Sequence, residues 1–97
     1  MNCNLILHPN AKIDIHEIAL WYESKQKGLG KRFVLYLKKE IYSIQKDPLS
    51  FEIRYSDIRI CITKTFPYLI HFSVQENSIV IKAVFHSSRN PELWKEV

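Results

Sequence analysis

The feature that most limits what this chain can become is a change of period near residue 51. Before it, apolar residues return every three or four positions; after it, they alternate. From Ala11 they fall at Ile15, Ile18, Ala19 and Tyr22, the i, i+3, i+4, i+7 spacing of a buried helix stripe. Phe33, Val34, Leu37, Ile41 and Ile44 repeat the pattern between about Lys31 and Lys46, with Lys38, Lys39 and Glu40 pointing out. Asn10 is a candidate N-cap for the first helix. Gly28 stops it, because glycine accepts a left-handed turn that other residues resist. Only KGLG separates the two helices, so they fold back as an antiparallel hairpin. The Asp47–Pro48 pair ends the second, since proline disfavours helical dihedrals at the residue before it.

Beyond residue 51 three segments alternate. In DIRICIT, Ile58, Ile60 and Ile62 share one face, with Arg59, Cys61 and Thr63 on the other. In FPYLIHFSV, Phe66, Tyr68, Ile70, Phe72 and Val74 oppose Pro67, Leu69, His71 and Ser73. In IVIKAVFH, Ile79, Ile81, Ala83 and Phe85 oppose Val80, Lys82, Val84 and His86. Short turns join them as an antiparallel meander, and the apolar run Leu5–Leu7 is a candidate first strand. The expected fold is α+β: an N-terminal strand, an antiparallel helix hairpin, then a three-stranded antiparallel meander packed on the helices. The isoleucine-rich faces should lie under the helices. The opposite face should stay open, carrying Arg59, His71, Lys82 and His86 and no carboxylate.

At 97 residues the chain makes one domain, spanning 1–97. A composition of 46% hydrophobic and 25% charged residues excludes a disordered chain. A formal charge of +4 favours an acidic partner. Cys3 and Cys61 form no CxxC pair and read as buried free thiols. No His, Cys and carboxylate set has metal-ligand spacing, so neither a metal nor another cofactor is expected. The opening MNCNLILHPN has too short an apolar run and no basic start for a signal peptide. No stretch approaches the ~20 apolar residues of a membrane span. The expectation is a soluble, cytoplasmic protein.

The order of elements, together with ALWYESKQKGLGKRF, the KDP closing the second helix, the IR of the second strand, FPYLIHFSV and AVFHSSRNPELW, resembles the RelE/ParE family of toxins. Those toxins belong to type II toxin–antitoxin modules, and the likeness is to the ParE-like, plasmid stabilisation branch, over nearly the whole chain. The resemblance implies a growth-inhibiting toxin bound by a cognate antitoxin, often through an acidic segment, in a hetero-oligomer. It also implies one of two targets: DNA gyrase, blocked without hydrolysis, or messenger RNA cut on the ribosome.

If the protein were a metal-independent ribonuclease, the resemblance would place catalysis on Arg59, His86 and Arg89. Leu69 and Cys61, however, stand where the ribonucleases carry an arginine and commonly a lysine. One missing electrostatic contact of this kind costs ~10²–10³ in rate. Gyrase inhibition is therefore the leading expectation, with Arg59, Leu69, His71, Lys82, Arg89 and Trp94 as the surface for target or antitoxin. A basic nucleic-acid-binding module, or an inactive homologue, is the third reading.

Plainer roles stand beside these. His86 can end a strand and fix the SSRNP turn. His71 can be a cross-strand neighbour on a solvated face, and His8 and His16 surface or cap residues. Tyr22 belongs to the core and Trp21 to its rim. Arg89–Asn90–Pro91 is either a phosphate-binding turn or a chain reversal that tucks Trp94 back as a lid. Lys25, Lys27, Lys31 and Arg32 form the solvated tip of the hairpin or a contact region.

Overall fold

The computed structural model describes residues 3–96. Strand β1 (Asn4–Leu7) leads into helix α1 (Pro9–Lys25), then helix α2 (Leu29–Lys46) and a single 3₁₀ turn, Pro48–Ser50. Four strands follow: β2 (Ile53–Tyr55), β3 (Ile58–Ile62), β4 (Tyr68–Gln75) and β5 (Ser78–His86). A short 3₁₀ segment, Pro91–Glu96, closes the described chain. The five strands form one sheet in the order β1-β5-β4-β3-β2, with β1 parallel to β5 and every other pair antiparallel. The α+β fold expected from the sequence is present, with the short β2 added to the meander.

Helix α1 starts two residues earlier than an Asn10 cap would place it. Pro9 occupies the first turn, where its missing N–H costs nothing, and His8 Nδ1 accepts from the Asn10 N–H at 3.1 Å as the N-cap. The hairpin is closed by one carboxylate. Glu23 accepts from the Gly28 N–H at 2.9 Å and from the Gly30 N–H at 3.1 Å, satisfying amides that open α2 and have no partner within it. Gly28 sits at φ 86°, in the left-handed region. Gly30 packs directly on α1: a Cβ there would lie 2.5 Å from the Ala19 carbonyl oxygen.

The main core lies between sheet and helices. Phe33, Leu37, Ile41 and Ile44 of α2 pack on Ile70, Phe72, Ile79 and Ile81. At one end Tyr22, Phe33, Phe66 and Tyr68 form an aromatic cluster with ring centroids 5.0–6.4 Å apart, edge-on and stacked contacts worth about 0.5–1.5 kcal/mol each beyond burial. Tyr36 Oη accepts from the Lys64 and Thr65 N–H groups and so ties the β3–β4 turn to α2. Cys3 and Cys61 are buried free thiols, and burial pushes the Cys61 thiol up to about 11.

Two details overturn the expected division of faces. Directly paired residues project to the same side of a sheet. Ile60 pairs with His71 and Cys61 with Ile70, so Ile58 and Ile60 lie on the outer face, while Arg59 and Cys61 turn toward the helices. Alternation reveals two faces; only register says which is which. In β5, Phe72 pairs with Ile81 but His71 pairs with Ala83, leaving Lys82 as the extra residue of a β-bulge. The bulge exchanges the faces beyond it. Val84 joins the main core, Ala83 and Phe85 face outward beside His71 and Leu69, and His86 pairs with Tyr68 on the helix side.

Gly30→Ala is expected to lose about 2 kcal/mol of stability, because backbone must shift to admit the methyl group. Gly28→Ala, with nothing within 4 Å of its Cβ, should lose only the left-handed strain of about 1 kcal/mol. Urea denaturation of the two variants checks this; equal losses would contradict the close approach to Ala19.

Candidate functional site

The outer face of the sheet is greasy and covered, not cationic and open. Ile58, Ile60 and Leu69 form a second apolar cluster, over which Tyr55 and Trp94 pack. Trp94 arrives on the Pro91–Glu96 segment, which crosses this face as a strap. It is a lid, as one reading of the tail proposed, but over the outer cluster and not the main core. Leu69, expected to be exposed, is therefore buried, and Trp94 is half-buried.

Beneath the strap lies His71, with none of its surface exposed. This corrects the expectation of a solvated neighbour. Tyr55 Oη lies 2.8 Å from His71 Nδ1, and the Phe85 and Trp94 rings stand edge-on at 4.8 and 4.9 Å. The Arg89 guanidinium covers the outer side of Phe85 at 4.0 Å, a cation–π contact. Burial, aided by the charges of Arg54 and Arg89, lowers the His71 pKa from 6.5 to about 4. The ring is neutral at pH 7.

Three buried atoms of this cluster, His71 Nε2, Arg89 Nε and Trp94 Nε1, have no hydrogen-bond partner among the described residues. Each unmet buried donor costs about 1–3 kcal/mol. Half-burying a tryptophan returns roughly 2–3 kcal/mol at ~25 cal/mol per Å². The unpartnered atoms therefore work against the burial that holds the strap in place.

The remaining candidates lie apart from this cluster. Arg59 Nη1 donates to the Phe51 carbonyl on the helix side of β3, so it is not on the open face. His86 is exposed, meets Tyr68 edge-on at 5.3 Å, and fixes the following turn: its Nδ1 lies 2.7 Å from Ser88 Oγ and accepts from the Ser88 N–H at 3.1 Å. That is its plainer role, on the face opposite to the one expected. Lys82, at the bulge, lines a depression of about 190 Å³ with Arg89, Asn10 and Asp14. Asp14 Oδ2 accepts from the Val84 N–H at 3.0 Å where β1 no longer covers β5; burial, its largest cause, raises its pKa. Arg59, His86 and Arg89 thus do not meet around one point.

Sequence reasoning missed Tyr55 and Arg54. Their signal was the short hairpin IRYSDIR, whose turn residue Ser56 adopts φ 48° and brings β2 back along β3. A further feature is an apolar groove of about 370 Å³ along Leu5, Leu7, Ile15, Val34, Leu37 and Ile41, rimmed by Lys38. It adjoins the unpaired edge of β1, where Leu5 and Ile6 are exposed. Among the described residues no group of three His, Cys, Asp or Glu could hold a metal ion, and no helix is long and apolar enough to cross a membrane.

A helix hairpin backed by a sheet of this order defines a small α+β scaffold. The sequence matches the family described as "ParE toxin of type II toxin-antitoxin system, parDE" over residues 5–91. The chain belongs to that family. A solved structure, "Chromosomal ParDE TA system from P. aeruginosa", superposes with a TM-score of 0.72 at 13% identity, covering 87% of this chain and 95% of that one. That likeness is one of fold. No curated protein matches the sequence.

The depressed His71 pKa has a measurable consequence. The unfolded chain takes up a proton below pH 6.5 that the folded chain refuses until about pH 4. Stability is therefore fully present above pH 6.5 and lost as pH falls through that window. At about 1.4 kcal/mol per pH unit, the loss reaches about 3 kcal/mol. His71→Gln should remove it. Urea denaturation of both proteins from pH 7 to pH 4 should show their stability difference shrinking toward acid; a constant difference would refute the assignment.

Proposed function

We propose that this ParE-family chain is the toxin of a type II toxin–antitoxin pair and arrests growth by binding DNA gyrase, without hydrolysing RNA. One observation carries the reading. On the sheet face where a ribonuclease of this scaffold would place its substrate, Ile58, Ile60 and Leu69 fill the surface and Trp94 covers it. Cleavage without a metal needs cations gathered around the phosphorane and a proton acceptor within reach. Arg59 turns to the Phe51 carbonyl and His86 to Ser88, so neither is positioned for that work. Inhibition by binding needs only a complementary surface.

The antitoxin fits the other side of the molecule. The unpaired edge of β1 can accept a strand, and the groove beside it can accept the apolar face of a helix. Lys38 at its rim, and Lys46 stacked over Tyr42 at 4.7 Å, favour an acidic segment. This replaces the surface expected across Arg59, Lys82 and Arg89; of those, Lys82 and Arg89 remain accessible for a target.

Purified toxin should block supercoiling by gyrase while ribosome-bound messenger RNA stays whole, and His86→Ala should leave growth inhibition intact. A catalytic histidine would instead cost ~10²–10⁴-fold on removal; RNA ends that appear with the toxin and vanish with His86→Ala would overturn the reading. For the antitoxin surface, Leu5→Lys should weaken the complex at least about tenfold by calorimetry. Undiminished affinity would place the antitoxin elsewhere.

A further inference from the structure

Helix α2 exposes five cations: Lys31, Arg32, Lys38, Lys39 and Lys46. At 3.6 residues per turn they fall within a stripe covering roughly a third of the helix circumference. Lys31 and Lys38 run along one margin of the stripe, and Arg32, Lys39 and Lys46 along the other. The exposed Leu35 and Tyr42 lie between the margins, with Lys46 over the Tyr42 ring at 4.7 Å. From Lys31 to Lys46 the stripe is about 22 Å long at 1.5 Å rise per residue. Burial of Phe33, Leu37, Ile41 and Ile44 against the sheet fixes this side of the helix as the outward one. No carboxylate interrupts it. Glu40, the acidic residue of α2, is half-buried and acts on the Cys61 thiol of β3. Glu23 is bound to the Gly28 and Gly30 amides, and Asp47 lies just past the last turn. A face exposed only for solubility intersperses both signs; this one carries a single sign along its whole length.

We propose that the outward stripe of α2 is a docking surface for the phosphate backbone of double-helical DNA. Its charge calls for an anionic partner, and four of its five cations are lysines. Lysine is depleted from interfaces between proteins, where arginine and aromatic residues are preferred. Compact ammonium groups on long flexible arms suit phosphates met one by one along a backbone. The two margins suit a duplex in particular. The major groove of B-form DNA, about 12 Å wide, is walled by both phosphate strands; a helix with cations on both margins meets the two walls while Leu35 and Tyr42 face the groove. The deep, narrow major groove of A-form RNA does not admit such a helix. Single strands call for open aromatic faces on which bases stack, and Lys46 covers the Tyr42 ring. Lys38 also rims the groove assigned above to the antitoxin, so an antitoxin seated there covers part of one margin. The inference goes beyond the gyrase reading, adding a contact to the duplex that the enzyme handles. It is tested on bare DNA, so its failure and the failure of that reading are separable.

The test is fluorescence anisotropy of a labelled, mixed-sequence DNA duplex titrated with the full chain at several salt concentrations. Five phosphate contacts give a slope of about −4.5 in log affinity against log salt, a loss of ~10²–10³-fold between about 50 and 200 mM. Lys31→Gln and Lys39→Gln, one from each margin and both at exposed positions, should each reduce that slope by about 1, and together by about 2. Arg54→Gln removes an equal charge beside His71 on the outer side of the sheet and should leave the slope unchanged. Duplex RNA, single-stranded DNA and poly-glutamate of matched charge should all bind more weakly than the DNA duplex. Absence of duplex binding at the lowest salt overturns the surface, as does a slope indifferent to both stripe variants. An equal reduction in Arg54→Gln would trace the attraction to net charge and overturn the stripe as its source. Poly-glutamate bound as tightly as the duplex overturns the assignment to nucleic acid in favour of an acidic protein segment. RNA or single strands bound as tightly overturn the assignment to B-form DNA.

Discussion

Between Ile81 and Ala83, β5 carries one residue more than the β4 segment it pairs with. Everything distinctive about the outer half of the molecule depends on that extra residue, Lys82. If the strand simply alternated through Lys82 with no bulge, Phe85 would join Ile79 and Ile81 under the helices and Val84 would face outward. With it, the small Ala83 and the large Phe85 flank His71, and the end of β5 turns His86 to the helix side. A bulge bends its strand and raises the local twist. Here it lies where β1 ends and the Asp14 carboxylate takes over the Val84 N–H from any further strand. The helix hairpin, the end of the parallel pairing and the exchange of faces therefore form one connected arrangement.

That arrangement gives the sheet two apolar sides and only one helical layer to cover them. The inner side is closed by α2, held to α1 by the contact of Gly30 with Ala19 and by the Glu23 carboxylate. The outer side, too short of polar residues to be left in water, recruits the C-terminal strap and Trp94. The strap's indole nitrogen and the two nitrogens it seals have no partners, so covering the outer side is favourable for the carbon surface and unfavourable for the polar atoms. The inner layer has no such conflict. The two sides thus differ in how firmly they are held, and the conflict falls on the side where the titratable residues gather.

Much of this was legible in the sequence. The helix stripes of Ile15–Tyr22 and Phe33–Ile44, the turn at Gly28, the stop at Asp47–Pro48 and the inward face of β4 all follow from periods and breakers that act locally. The errors have a common origin in long-range pairing. Which face of β3 meets the helices is decided by Ile60 lying opposite His71, a contact between residues whose own patterns are silent about register. The bulge leaves no mark in IVIKAVFH, because Val84 and Phe85 are both apolar and either could be buried. Tyr55 escaped notice because β2 is only three residues long and acquires its role through Trp94, about forty positions later. For the same reason Arg59, His86 and Arg89, each plausible alone, could be shown not to meet only once the register was known.

Hydrolysis and inhibition by binding place different demands on this scaffold. Effective acid–base and electrostatic catalysis requires groups held within a fraction of an ångström around one reacting atom. A binding surface tolerates dispersed charges, provided that shape and polarity match over a wide area. In this chain the cations are dispersed: Arg59 is bound to a backbone carbonyl, Lys82 lies beside a carboxylate at the bulge, and Arg89 is spread over Phe85. His71, the buried titratable side chain of the outer face, is sealed under Trp94 and held neutral at pH 7. A histidine with no exposed surface, one nitrogen already engaged by Tyr55, cannot reach and deprotonate a substrate hydroxyl. This distinction, more than the count of basic residues, favours inhibition by binding for this member of the ParE family.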